Sequence, residues 1–216
     1  MSLSQDKKRA PSPSPEAHVR PVVTALAPVP ASEWRHLERR LRLETLATGD
    51  RLTHAGDVAD RFGFVVRGLV RKVHVTERGR LVVRGFGGPG SIVGAYASLL
   101  TQTPSYLSVE ALRPTVLYVL DWAEMEGLYA RHVCWQVVGR RLAEANLLER
   151  EARAHELLTL SATERFTRFC ATHRALLPTL RSYDIASYLG ITPVSLSRLR
   201  ARAHRDGRGR RGAGVR

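Results

Sequence analysis

Cysteine is nearly absent. Cys134 and Cys170 are the two thiols among 216 residues, with no Cys-x-x-Cys and no Cys/His cluster. That spacing offers neither a disulfide framework nor a zinc or iron–sulfur ligand set, and lone thiols suit a reducing cytoplasm. No run approaches the ~18 apolar residues of a membrane span. The N-terminal stretch MSLSQDKKRAPSPSPEAH has nothing apolar behind its basic residues, so no signal peptide and no membrane partner are expected. No His-x-His pair occurs, and His54 and His74 stand isolated in strand-like runs. A metal-dependent jelly-roll enzyme therefore lacks its customary ligand pair, and single strand histidines read as half-exposed surface residues. Cys134 precedes Trp135 in a helical pattern, and both thiols read as packed rather than as nucleophiles or redox centres. His132 and His155 point no more strongly to a haem. The sequence thus names no catalytic residue, no metal ligand and no cofactor, and any effector is unknown.

Acidic residues are also in deficit, 20 against 34 Lys and Arg. The excess is uneven: residues 1–130 carry a net +4 and residues 131–216 a net +10, nearly all of it arginine. Guanidinium groups fit phosphates and guanine edges better than ammonium groups do, so an anionic partner is expected for the C-terminal part.

Residues 1–30, rich in Pro and Ser and without periodicity, read as a disordered arm. Ser32 could cap a short helix carrying Trp34, Leu37 and Leu41 on one face. Short β-type runs follow from about residue 44 to 120: 62–68, 69–75, 81–86, 91–97, 106–112 and 115–120. Turn signals at Ala55-Gly56-Asp57, Arg78-Gly79 and Gly87-Gly88-Pro89-Gly90 separate them. Val70, Lys72 and His74 alternate with Arg71, Val73 and Val75. Many short strands at this spacing predict a β-roll or jelly roll over 31–130. Asp121 to Glu124 resembles a capping box. A long helix over 131–157 carries Val138, Leu142, Ala145, Leu148 and Ala152 at three- and four-residue steps. At ~38 Å it outruns a small barrel, so this stripe is assigned to a homodimer seam. Ser161 to Glu164 opens a further helix.

Ser182–Arg202 reads SYDIASYLGITPVSLSRLRAR and has the physics of two helices crossing at a tight turn. Ile185, Leu189, Leu196 and Leu199 would meet between the helices. Gly190 would supply a positive φ, Thr192 an N-cap and Pro193 a first helical residue that needs no donor. Slim Ser195 and Ser197 lie among Arg198, Arg200 and Arg202, the mixture a DNA-recognition helix needs. The candidate DNA contacts are Ser182, Tyr183, Thr192, Val194, Ser195, Ser197, Arg198 and Arg202.

This arrangement resembles the Crp/Fnr superfamily over residues 32–203, most strongly in DIASYLGITPVSLSRLR (184–200) and also in AGDVADRFGFVVRGLVRKV (55–73). The resemblance implies an α+β chain: a cyclic-nucleotide-binding-like β-roll, a long dimerisation helix, and a C-terminal winged helix-turn-helix over 158–204. It further implies a homodimer on two-fold-related double-stranded DNA, promoter control, and RNA polymerase as a candidate partner. Arg198 falls where the family places a base-reading arginine, whereas Pro193 and Val194 stand where many relatives carry Arg and Glu. The wing is expected to be truncated, because 205–216 is Gly- and Arg-rich without a strand pattern and reads as a disordered basic tail. In the ligand pocket the family's Gly-Glu pair is Gly94-Ala95 here, and its Arg-Ser/Thr pair is Ser105-Tyr106. Both the ribose carboxylate and the phosphate arginine are missing, so cyclic AMP binding in the usual way is not expected. Arg84 or Arg113 could substitute, but no spacing selects either. Two further readings stay open: an orphan regulator whose roll is only a scaffold, and a small-molecule-sensing or cupin-like roll whose helices serve only association.

Overall fold

The computed structural model describes residues 13–212, with side-chain surroundings through Ala203. Helices α1 (Pro15–His18), α2 (Arg20–Leu26) and α3 (Ala31–Glu38) lead into strands β1 (Arg42–Leu46), β2 (Arg51–Thr53), β3 (Arg61–Arg67), β4 (Val70–Val75), β5 (Leu81–Gly87) and β6 (Ile92–Val93). Helix α4 (Tyr96–Thr101) is followed by β7 (Ser108–Ala111) and β8 (Thr115–Asp121). The rest is helical: α5 (Trp122–Arg131), α6 (Val133–Thr159), α7 (Ala162–Thr172), α8 (Ser182–Leu189) and α9 (Pro193–Gly212).

The strands form two four-stranded antiparallel sheets, ordered β1-β8-β3-β6 and β2-β7-β4-β5. Their inner faces share one apolar core. β8 is its centre, with Leu117, Val119 and Leu120 fully buried. The turn from β3 to β4 hinges on Gly68 (φ +102°), where a Cβ would collide with Thr115 and Pro114. The Thr115 hydroxyl accepts from the Leu69 amide at 3.1 Å and so satisfies the turn from the opposite strand.

Four expectations need correction. The arm read over 1–30 is ordered from Pro13 onward, residues 1–12 lying outside the described part. Pro15 sits in the first turn of α1, where the Ser14 hydroxyl accepts from the Ala17 amide. Val19, Val23 and Ala27, one helical turn apart, bury themselves in the same core as Val138 of α6. Four-residue spacing over nine residues is too short to show as periodicity beside so many prolines. Second, Tyr96 and Ala97 begin α4 rather than continuing a strand. Third, the tail read as disordered over 205–216 is helical as far as Gly212; the alternation read along β4, by contrast, holds, with Val70 in the core between the sheets and Arg71 on the opposite face against Asp184, because the register shift of the β4–β5 ladder puts its extra residue on β5. Fourth, Asp121 makes no capping bond. Its carboxylate is held bidentately by Arg42, at 2.6 Å to each oxygen, while Glu124 pairs with Arg40.

Helix α9 runs on through 205–212. Adding residues to a formed helix costs far less than nucleating one, and no proline follows Pro193. Among the described residues no strand follows β8, so no wing is present there.

Candidate nucleic-acid interface and effector cleft

Helices α8 and α9 meet at Gly190, which adopts φ +69° and whose amide donates to the Ser187 carbonyl at 3.2 Å. The contact between them is apolar: Ile185, Leu189 and Leu196 are essentially inaccessible and Leu199 half-buried. The Thr192 hydroxyl accepts from the Ser195 amide at 3.1 Å and caps α9. Arg200 donates to the Ser182 hydroxyl at 2.7 Å and ties the two helices together. Ser182, Tyr183, Thr192, Val194, Ser197, Arg198 and Arg202 are all exposed, and Ser195 is half-buried beside them. Arg198 and Arg202 form no ion pair among the described residues. The face is therefore open, basic and rigidly backed.

This hairpin is fastened to the roll by contacts that the sequence did not announce. Arg71 of β4 pairs with Asp184 in the first turn of α8 and, at 2.9 Å, with Glu110 of β7. The Asp184 side chain is 1% exposed and that of Arg71 12%. The Ser187 hydroxyl accepts from the Val83 amide and donates to the Leu81 carbonyl, both at 3.0 Å. It thereby closes part of the free edge of β5, a device that also protects the edge from stray pairing. Phe86 packs among Phe169, His173 and Tyr188. The Arg153 guanidinium lies 4.0 Å over the Tyr188 ring. Burial pushes the Tyr188 phenol up and the His173 imidazole down.

A cleft of about 410 Å³ lies where the roll, α6 and this hairpin meet. Gly94, Ala95, Ser105 and Tyr106 all line it, so the structure brings the four together. Ser105 is spent locally: it is buried, and its hydroxyl exchanges hydrogen bonds with the backbone of Leu107. Lys72, Arg80, Arg84 and Arg150 also line the cleft, a group that the sequence does not mark; of the two arginines that could substitute at a phosphate, Arg84 lines it and Arg113 does not.

Helix α6 divides into two parts. Its first turns pack on the roll, where Trp135 and Val138 are buried. Val138 is thus taken by its own core and leaves the proposed seam. Leu142 is half-buried, whereas Ala145, Leu148 and Ala152 are exposed, with Leu147 and Leu158 exposed near them. Cys134 is buried and Cys170 half-buried, and burial pushes both thiols up.

Residues 43–132, from β1 to just past the end of α5, match the family model of the cyclic nucleotide-binding domain. Solved structures extend the likeness over most of the chain. FixK2 from Bradyrhizobium japonicum superposes with a TM-score of 0.68 at 23% identity, covering 77% of this chain and 86% of that one. The c-di-GMP responsive global regulator CLP of Xanthomonas campestris gives 0.64 at 17% identity, over 82% and 93%. The catabolite activator protein of Thermus thermophilus gives 0.53 at 23%, over 87% and 88%. At these identities the likeness is one of fold. No curated protein matches the chain in sequence.

Proposed function

We propose that this protein is a transcription regulator that reads specific double-stranded DNA as a homodimer. The observation that carries the reading is the basic face of α9: exposed Arg198 and Arg202 beside slim Ser195 and Ser197, on a helix set by a tight turn against α8. A helix of this kind fits the major groove, with arginine as the commonest reader of guanine. The stripe of half-buried Leu142 and exposed Ala145, Leu148 and Ala152 on α6 would pair two copies and set the spacing of half-sites. The module's similarity to cyclic nucleotide-binding domains supports a sensing role, but Ala95 and Ser105-Tyr106 supply no ribose carboxylate and no phosphate arginine, so cyclic AMP is not its ligand in the usual way. The solved structures of like fold include a global regulator and a catabolite activator protein, and a regulator of this kind would act in the cytoplasm.

The test is selection of bound duplexes from a random DNA pool at two salt concentrations. Enrichment of a two-fold-related motif with half-sites about one helical turn apart is expected. Salt-sensitive binding without any enriched motif would refute sequence-specific regulation.

A further inference from the structure

The cleft beside the hairpin carries a charge that its walls do not neutralise. Lys72, Arg80, Arg84 and Arg150 line it, with Glu149 as its single lining carboxylate among the described residues. None of the four cations forms an ion pair among the described residues. Four cations against one carboxylate leave three charges unmatched. Arg153 lines the cleft too but is already held by Glu156 and by Tyr188.

The placement of these groups is structural. In the β4–β5 ladder Lys72 pairs with Gly85 and Val73 with Val83, which leaves Arg84 as the extra residue of a bulge. Bulges re-aim a side chain out of its strand's alternation, and here the cationic side chain lines the cleft. Arg150 comes from the facing helix α6. Lys72 is half-buried, and burial pushes its amine down, with Glu149 the nearby opposite charge and Arg150 adding to the depression. A solvated surface lysine would not be in that position. The apolar remainder includes Val82, Leu107 and Leu157, and the third wall is the hairpin itself at Ser187, Tyr188 and Gly190. Its volume lies within the usual range for small-molecule sites, roughly 300–1,000 Å³.

We propose that this cleft binds a small phosphorylated effector carrying at least two negative charges, held between Arg84 of the β5 bulge and Arg150 of α6. A cyclic mononucleotide brings one charge and leaves the walls cationic. A terminal phosphate brings about 1.5 to 2 at neutral pH, and two phosphodiesters bring as much. Such a ligand lies against Ser187 and Tyr188, the residues that fasten α8 to the roll, so its binding favours the docked placement of the hairpin over any other. That regulatory consequence rests on the regulator reading; the binding itself does not.

Calorimetric titration of the full-length protein with inorganic pyrophosphate, ADP, cyclic di-GMP and cyclic AMP, at low and moderate salt, tests it. At least one of the first three binds, with Kd rising tenfold or more in Arg84→Ala and in Arg150→Ala, while cyclic AMP binds at least tenfold more weakly. Pyrophosphate matching ADP identifies the phosphates alone as the recognised group. Preference for cyclic di-GMP identifies two separated phosphodiesters instead. The proposal is overturned if cyclic AMP binds as tightly as the best of the others, if none of the three polyanions binds, or if both arginine variants leave Kd unchanged. Loss of binding in Arg198→Ala with Arg84→Ala unaffected would place the anion on the proposed DNA face and overturn it too. Arg84 and Arg150 are exposed, so neither truncation removes core packing. Failure here leaves the DNA-pool selection untouched, so the two readings fall separately.

Discussion

Removing Arg71 tests whether the hairpin is latched to the roll. Arg71→Met keeps most of the side chain's apolar bulk and deletes its charge. Asp184, 1% exposed, then loses its cation in a site without water to replace it. Breaking a buried pair from one side costs about 3–5 kcal/mol. Two features reduce this. Glu110 keeps a second cation, Arg51, at 3.5 Å. Asp184 also lies in the first turn of α8, where the helix dipole returns about 0.3–1 kcal/mol. A loss near 3 kcal/mol is therefore expected, and it should be local. The three tryptophans, Trp34, Trp122 and Trp135, all belong to the roll's core, so their fluorescence in urea should report little change. Amide exchange in α8 should accelerate roughly a hundredfold, since opening of that element sets its rate. The double variant Arg71→Met/Asp184→Leu removes both charges and should recover to within about 1 kcal/mol of the native protein, because an apolar pair can replace a buried ionic one. Unchanged exchange in the single variant, or a double variant as loose as the single, would refute the latch.

Arg198→Ala should cost about 1–3 kcal/mol of binding to the selected DNA motif while leaving non-specific binding nearly intact, measured by competition against random duplex. Leu148→Asp, at a site 67% exposed in one chain, should leave the monomer folded yet abolish dimers in sedimentation; persistent dimers would move the seam elsewhere. Deleting 205–216 should weaken binding to every duplex alike and flatten its salt dependence, because basic residues beyond the first turns of a recognition helix contact phosphates and not base edges. Burial beside Phe169, against which it stacks at 4.5 Å, depresses His173 below its ordinary value, with Glu149 and Glu156 pulling upward and Arg153 downward. A histidine held neutral in the fold contributes stability that is present above its unfolded pKa of about 6.5 and is lost as pH falls towards the lower folded value. The protection factor of the α8 amides, that is, exchange relative to its intrinsic rate at each pH, should therefore fall on acidification below about pH 6.5, and His173→Phe should remove that dependence.

The roll was legible because period-two apolar runs and glycine turns are local signals, as was the hairpin, whose turn needs Gly190 and whose cap needs Thr192. What escaped depends on long-range pairing. Val19 and Val23 look like stray valines in a Pro-rich arm until α6 offers them a surface. Val138 sits on the same helical stripe as Leu142 and Leu148, yet Val138 is buried on the roll, Leu142 is half-buried beside Phe62 and Trp122, and Leu148 is exposed; a periodic pattern gives a face and does not say which partner covers each turn of it.

The latch and the cleft escaped for a sharper reason. Arg71 and Asp184 stand 113 residues apart, and each alone reads as an ordinary surface charge. Their burial follows from the sheet edge they share: β5 ends its sheet, α8 closes that edge through Ser187, and the charged residues on either side must then pair or stay unsolvated. Arg84 could be named but not chosen over Arg113, because alternation assigns every second residue of β5 to one face and the bulge breaks that rule at the residue lining the cleft. The positions a family comparison inspects, Gly94-Ala95 and Ser105-Tyr106, record only that the usual nucleotide contacts are gone. The charge that replaces them comes from the bulge of β5 and from the helix that would carry the dimer seam. A ligand there would meet the roll, α6 and the α8–α9 hairpin at once, and on the proposed reading the energy it gains from Arg84 and Arg150 can alter DNA binding only to the extent that the docked hairpin binds it more tightly than any alternative placement.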